Sequence, residues 1–270
     1  MRDVLFFIHI PKTAGTSINK MLARNLGSSL ICIPHTFLEP PINSRLIKSW
    51  LNKSSTSYCV ASHRLTIDIP LGPQDNFNGF AFAVIREPVE WFLSNFYYTR
   101  LQGIVSFGGS ELVSSPAEYL DLIESRGKFM SQFRALTGES SDLGHVRQLI
   151  DQGKLCLIPQ DNLELGLALI HCRFPRLLKD VSLEQLNINS SRPPYAVSQD
   201  FQEHFDKLFA NDLELYQIAK ESMQIELARH SPDKLKFLTN IFRLKSMVRS
   251  VLISPPQRIA NRLNNAIQGL

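Results

Sequence analysis

The sequence predicts an α/β fold: a parallel β-sheet of about five strands flanked by helices, with a helical extension at the C-terminal end. Three observations predict it. Short apolar runs of β type alternate with segments of helical period from Val4 to about Ala228. The run Phe80 to Ile85, F-A-F-A-V-I, is apolar at every position, as a strand covered on both faces reads. The first run, Val4 to Ile10, stops at Pro11 and is followed by a loop and then a helix, the order of a βα unit.

Taken in order, Ile18, Met21, Leu22 and Leu26 mark one face of the first helix, and Gly27 stands where that helix closes. Leu30 to Ile33 is a short apolar run, and a helix is predicted near Ser44 to Leu51. Ser57 to Ala61 is the second β-type run and ends at Ser62-His63-Arg64; Phe80 to Ile85 is the third and ends at Arg86-Glu87-Pro88. Pro88 suits the first turn of the next helix, whose buried stripe is Val89, Phe92, Leu93 and Phe96. Ser115-Pro116-Ala117-Glu118 is a capping box with proline at the first helical position. Lys154 to Ile158 is a fourth strand, with a helix from about Asn162 to His171, and Arg176 to Lys179 is a candidate fifth. One long helical run, Phe201 to about Ala228, closes the main domain, residues 1–230. Residues 231–270 form a basic helical extension.

The loop after the first run, P-K-T-A-G-T-S, carries Lys12, Thr13, Ala14, Gly15, Thr16 and Ser17. A strand–loop–helix unit of this P-loop type points successive backbone N–H groups and a helix N-terminus at an anion. The nucleotide-triphosphate P-loop ends G-K-[ST], with the last hydroxyl on magnesium. Here the lysine precedes the glycine, so the loop is expected to hold a phosphate by direct hydrogen bonds with no metal. An ordinary βα turn that contains Gly and Thr is the plainer alternative.

Composition bounds the rest. The 270 residues are 44% hydrophobic, enough to bury a full core. No apolar run approaches the 18 or so residues that span a bilayer, and the N-terminus enters a strand almost at once, which leads to the expectation of a cytoplasmic protein. The four cysteines are widely spaced, with no C-x-x-C pair, and read as packed thiols. Residues 231–270 hold seven basic side chains against Asp233 alone, net +6 within an overall +4. The basicity therefore belongs to the tail, and no nucleic-acid partner is expected. The tail reads as an amphipathic helix with a basic face, suited to docking on the main domain, to a homo-oligomer contact, or to an anionic membrane surface.

In open α/β sheets ligands sit beyond the carboxyl ends of the strands. Lys12 follows the first β-type run, His63 the second and Arg86 the third. Arg86 offers a planar fork for a phosphate, and Ser94, two helical turns on, adds a hydroxyl; a surface pair of Arg86 with Glu87 or Glu90 is the alternative. His9 is expected to pack in the sheet, and His35 is the rival to His63 as a base. The remaining histidines fall on helical stretches and read as solvent-facing or cap residues, and no His/Cys/Asp/Glu set has metal-ligand spacing. The long stretch Arg100 to Gly153, with Arg134, is where an acceptor site is expected.

These residues resemble those of the carbohydrate sulfotransferases that use 3′-phosphoadenylyl sulfate (PAPS), in the branch of the heparan sulfate and uronyl 2-O-sulfotransferases and their bacterial relatives. The matching segments are P-K-T-A-G-T-S, Ser62-His63 and V-I-R-E-P-V-E-W-F-L-S-N-F-Y. Weaker echoes are Gln132 to Gly138, Leu186 to Asn189 and Asn211 to Tyr216. The resemblance implies that Lys12 meets the departing phosphate oxygen and that Thr13, Ala14, Gly15, Thr16 and Ser17 cradle the 5′-phosphosulfate. It also implies that Arg86 and Ser94 take the 3′-phosphate, that His63 is the general base, and that 3′-phosphoadenosine 5′-phosphate (PAP) is the product. Asn189 to Arg192 is a candidate to fold over the nucleotide, with Arg192 as a surface residue before Pro193 the alternative. Two other readings stay open: a P-loop kinase acting on ATP, which wants a magnesium-holding carboxylate at the end of an apolar strand, and a nucleotide-binding scaffold anchored by its tail. None of the apolar runs ends in such a carboxylate.

Overall fold

A computed structural model describes residues 1–33, 40–53, 58–101, 113–127, 130–138, 142–184 and 195–252. Its centre is a mostly parallel sheet of six strands: β1 (Arg2–Ile8), β2 (Leu30–Cys32), β3 (Cys59–Ser62), β4 (Gly72–Pro73), β5 (Phe77–Ile85) and β6 (Leu155–Pro159). The order across the sheet is β2-β3-β1-β5, with β6 beside the second half of β5 and the short antiparallel β4 beside its start. Parallel neighbours need a crossover, and helices supply it. Ile8 lies level with Ser62 on one side and Ala83 on the other, so β3 and β1 end together and β5 runs two residues further, to Ile85.

The pleat sends alternate residues to opposite faces, and both faces are covered. Val4, Phe6, Ile8, Val60, Ala81, Ala83 and Leu157 pack under α2 (Ser44–Lys53), α5 (Gln132–Thr137), α6 (Leu143–Asp151) and α9 (Ala210–Ala228). Leu5, Phe7, Ala61, Phe80, Phe82 and Ile158 pack under α1 (Gly15–Leu26), α7 (Leu163–Arg173) and α10 (Pro232–Leu252). A third cluster, largely aromatic, joins α3 (Pro88–Leu101), α4 (Pro116–Arg126) and α8 (Gln199–Leu208) through Trp91, Phe92, Phe96, Tyr119, Phe201 and Phe205.

Local chemistry sets the boundaries. Ser115 caps α4 by accepting the Glu118 N–H, with Pro116 at the first helical position, and Gly127 closes the helix at φ 64°. The Glu118 carboxylate takes the N–H and the hydroxyl of Ser114, one residue upstream of the cap.

Two expectations need correction. Arg176 to Lys179 is not a strand: the amides of Leu177 and Leu178 both donate to the Phe174 carbonyl and His171 engages the Leu178 carbonyl, so the segment bonds locally as a turn. The helical run from Phe201 is two helices, α8 and α9, parted at Phe209, whose ring stacks on Phe205 with centroids 4.4 Å apart. His35, Asn189 and Arg192 lie outside the described residues.

Phe82 is fully buried at the centre of the sheet, its ring 4.9 Å from that of Phe7. Phe82→Ala is expected to cost about 3 to 5 kcal/mol of stability, read as a lower denaturant midpoint in equilibrium unfolding.

Candidate active site

Because β3 and β1 end level and β5 ends two residues beyond them, the three loops that follow emerge at one edge of the sheet. β1 gives way to a loop under strain: Lys12 and Ala14 both take left-handed backbone conformations, φ 65° and 67°, without being glycine. Thr13 is buried and its Oγ1 donates to the Ile10 carbonyl at 2.8 Å, which closes the loop from inside. α1 then starts on Ala14, whose carbonyl accepts the amides of Ser17 and Ile18, and no side chain caps its first turn. The free first-turn amides of a helix form an anion-binding end.

His9 stands at the base of this loop. Its N–H donates to the Ser62 carbonyl, its Nδ1 lies 3.3 Å from Asn19 Nδ2, and its ring covers Gly15 so closely that a Cβ there would fall 1.6 Å from Nε2. The ring of His63, arriving from the end of β3, stacks on His9 with centroids 3.6 Å apart. His63 is half-buried and held beside the loop, while Ser62 Oγ accepts the Arg64 amide. His9, which the sequence predicts as a packing residue, thus joins His63 to Gly15.

Arg86 arrives from β5. Its backbone is held at both ends by one side chain: its N–H donates to Gln132 Oε1 and its carbonyl accepts from Gln132 Nε2, each at 2.8 Å. Gln132 is fully buried, and its own amide donates to Asp212 Oδ1 at 2.7 Å. The Arg86 guanidinium reaches Glu90 Oε2 at 3.2 Å, one turn along α3, so the alternative ion pair forms. Ser94 and Tyr98 follow Glu90 at four-residue steps on that helix, and Lys12 Nζ sits 3.7 Å from the centroid of the Tyr98 ring. Half-buried Ser94 therefore lies between the residue that touches Arg86 and the residue that touches Lys12. Trp91, on the same helix, donates its indole N–H to the Pro11 carbonyl at 2.8 Å and ties α3 to the loop.

Positive charge gathers at the site. Burial, and secondarily the charge of Arg86, hold the Lys12 ammonium below the usual lysine pKa. Two cations within electrostatic reach of each other repel, and an anion between them relieves the repulsion. Among the described residues no group of three His, Cys, Asp or Glu side chains sits where it could hold a metal ion. Exposed Arg134 lies on α5, and much of the stretch expected to hold the acceptor, including residues 102–112, is outside the described residues.

The roles of Gln132 and Asp212 were not legible beforehand. Their segments appear in the sequence only as weak echoes of the resemblance, and the signal that exposes them is the burial of a polar pair, Gln132 0% and Asp212 3% exposed. His171 departs from the solvent-facing reading, since it packs edge-on against Phe242.

Residues 1–130 match the model of the sulfotransferase family. The matched segment holds the strand–loop–helix unit, His63 and Arg86 described above. No curated protein matches the sequence. Among solved structures, the chain is similar to mouse sulfotransferase SULT7A1 complexed with PAP, at 10% identity and a TM-score of 0.44, covering 84% of this chain and 89% of that one.

Two predictions follow from the packing of the site. Gly15→Ala forces the His9 ring from its place and is expected to cost about 1 to 3 kcal/mol in chemical denaturation. Burial pushes the Asp212 carboxyl up to about 6, against hydrogen bonds from Ser131, Phe133 and Gln132 that favour its charged form. The folded chain then keeps this proton to about pH 6, while the unfolded chain releases it near 3.8. Between these values the folded state binds more protons, so this group's contribution to stability falls by about 3 kcal/mol as pH rises. Unfolding of the parent and Asp212→Asn at a series of pH values should show the stability gap between them shifting by about 2 kcal/mol from pH 4 to 6; a flat gap refutes the assignment.

Proposed function

We propose that the protein transfers a sulfuryl group from PAPS to a hydroxyl group on a carbohydrate acceptor. The observation that carries this reading is the meeting of three loops: Lys12 within electrostatic reach of Arg86, and His63 stacked against the histidine that covers Gly15. A nucleotide with anionic groups at both ends suits that spacing, with its 5′-phosphosulfate on the loop Lys12 to Ser17 and its 3′-phosphate on Arg86 and Ser94. The carbohydrate acceptor rests on the sequence resemblance.

In the reaction the acceptor oxygen attacks sulfur, and its proton passes to His63 as the new S–O bond forms. The bond from sulfur to the bridging phosphate oxygen breaks, and its electron pair stays on the departing PAP. Lys12 and the first-turn amides of α1 meet the charge that grows there. Glu90, which holds Arg86 at 3.2 Å, gives way to the 3′-phosphate as the better bidentate partner.

Titration calorimetry with PAP in the presence of a chelator is expected to show binding, weakened at least tenfold in Lys12→Ala and in Arg86→Ala. Transfer of labelled sulfate to a panel of glycans should fall about 10²- to 10⁴-fold in His63→Ala while PAP affinity stays. No PAP binding, or binding that requires magnesium, sinks the reading; loss of PAP affinity in His63→Ala makes that residue structural. Transfer to phenols and not to glycans would replace the acceptor class.

A further inference from the structure

The last described helix, α10, has two apolar faces. Its inner face is packed on the protein: Leu235 meets Leu169 and Met223, Phe242 lies edge-on to His171, and Ser246 donates to the Phe242 carbonyl while accepting the Leu183 amide. The outer face presents Phe237, Leu244, Met247 and Val248, which are 65%, 63%, 62% and 49% exposed. At the rotation of an α-helix Phe237, Leu244 and Val248 project within about 40° of one another, so they form one stripe. On the same wheel Lys234 and Lys245 flank the stripe on one side and Lys236 on the other. Arg243 and Arg249 lie farther round and are engaged by Glu164 and Asp180. Asp233, in the first turn, is the only acidic residue of the helix.

We propose that this face docks on the surface of an anionic lipid bilayer. The helix lies in the plane of the headgroups, with Phe237, Leu244, Met247 and Val248 at the acyl boundary and the three lysines on lipid phosphates. Charge chooses this occupant. A second copy packed on the same stripe would set lysines against lysines along both sides of the seam, because a two-fold interface pairs a patch with itself. An anionic bilayer accepts both parts of the pattern, since lysine stems cover apolar surface while their ammonium groups stay in the polar layer. Among the described residues no helix is long and apolar enough to cross a membrane, which fits a helix that lies on the surface. The inference stands apart from the proposed chemistry, because none of these side chains belongs to the nucleotide site.

The test is flotation of the full chain with phosphatidylcholine vesicles, with and without phosphatidylserine. Binding is expected only with phosphatidylserine, and added salt should weaken it. Each of Lys234→Gln, Lys236→Gln and Lys245→Gln should lower affinity roughly fivefold, and the pair Phe237→Ser, Leu244→Ser at least tenfold. Circular dichroism and PAP affinity measured on the same variants should match the parent, which separates failure here from failure of the nucleotide reading. Equal binding to both vesicle types, or no binding, overturns the proposal. So does undiminished binding of the variants, which would move the attachment to residues 253–270. A dimer seen by light scattering that Phe237→Ser and Leu244→Ser dissociate would give the face to a second copy instead.

Discussion

The site depends on one constraint, the register that brings three parallel strands to one edge of the sheet. Ile8 pairs with Ser62 and with Ala83, so the chain leaves β1, β3 and β5 at the same edge of the sheet. Slipping either pairing by one residue would exchange Phe, Val and Ile side chains between the two packed faces and set each against helices shaped for the other set. The buried faces therefore hold the register, and the register holds Lys12, His63 and Arg86 together. Packing far from the chemistry does the aligning.

What sits at that edge is costly, and the surrounding structure offsets the cost. Lys12 and Ala14 adopt backbone conformations that a side chain disfavours, His9 presses on Gly15, and Lys12 and Arg86 share a charge sign. Against this stand directed bonds from outside the loop. Trp91 holds Pro11, Thr13 holds Ile10, and Gln132 holds both backbone groups of Arg86 while Asp212 holds Gln132. The chain from Asp212 to Arg86 passes through buried groups, so each bond acts where water does not compete. A loop so braced presents its first-turn amides and its lysine already in place.

The extension beyond residue 230 is part of the same body up to Leu252. α10 lies over α7, ties its own Arg249 to Asp180, and completes the core with Phe242 and Leu235. Its outer stripe is apolar surface that packing among the described residues does not consume, and lysines stand along both borders.

The sequence alone determined the order of the elements and the positions of the three loops. Apolar runs buried on both faces have to read as unbroken hydrophobic segments, and helices that cover them have to repeat at 3.6, so Phe80 to Ile85 and the stripe of Phe92, Leu93 and Phe96 were legible by period alone. That Lys12, Gly15 and Arg86 stand in loops just past β1 and β5 was legible because each of those loops follows an unbroken apolar run and precedes a segment of helical period. Arg176 to Lys179 was misread, since a short apolar segment has the same pattern whether its amides bond to a neighbouring strand or fold back on Phe174. Only the tertiary structure decided that His9 lies between His63 and Gly15, and that Gln132 and Asp212, 80 residues apart, brace Arg86. Those contacts join segments with no local periodicity in common, and a hydrogen bond between distant side chains leaves no spacing in the sequence to read.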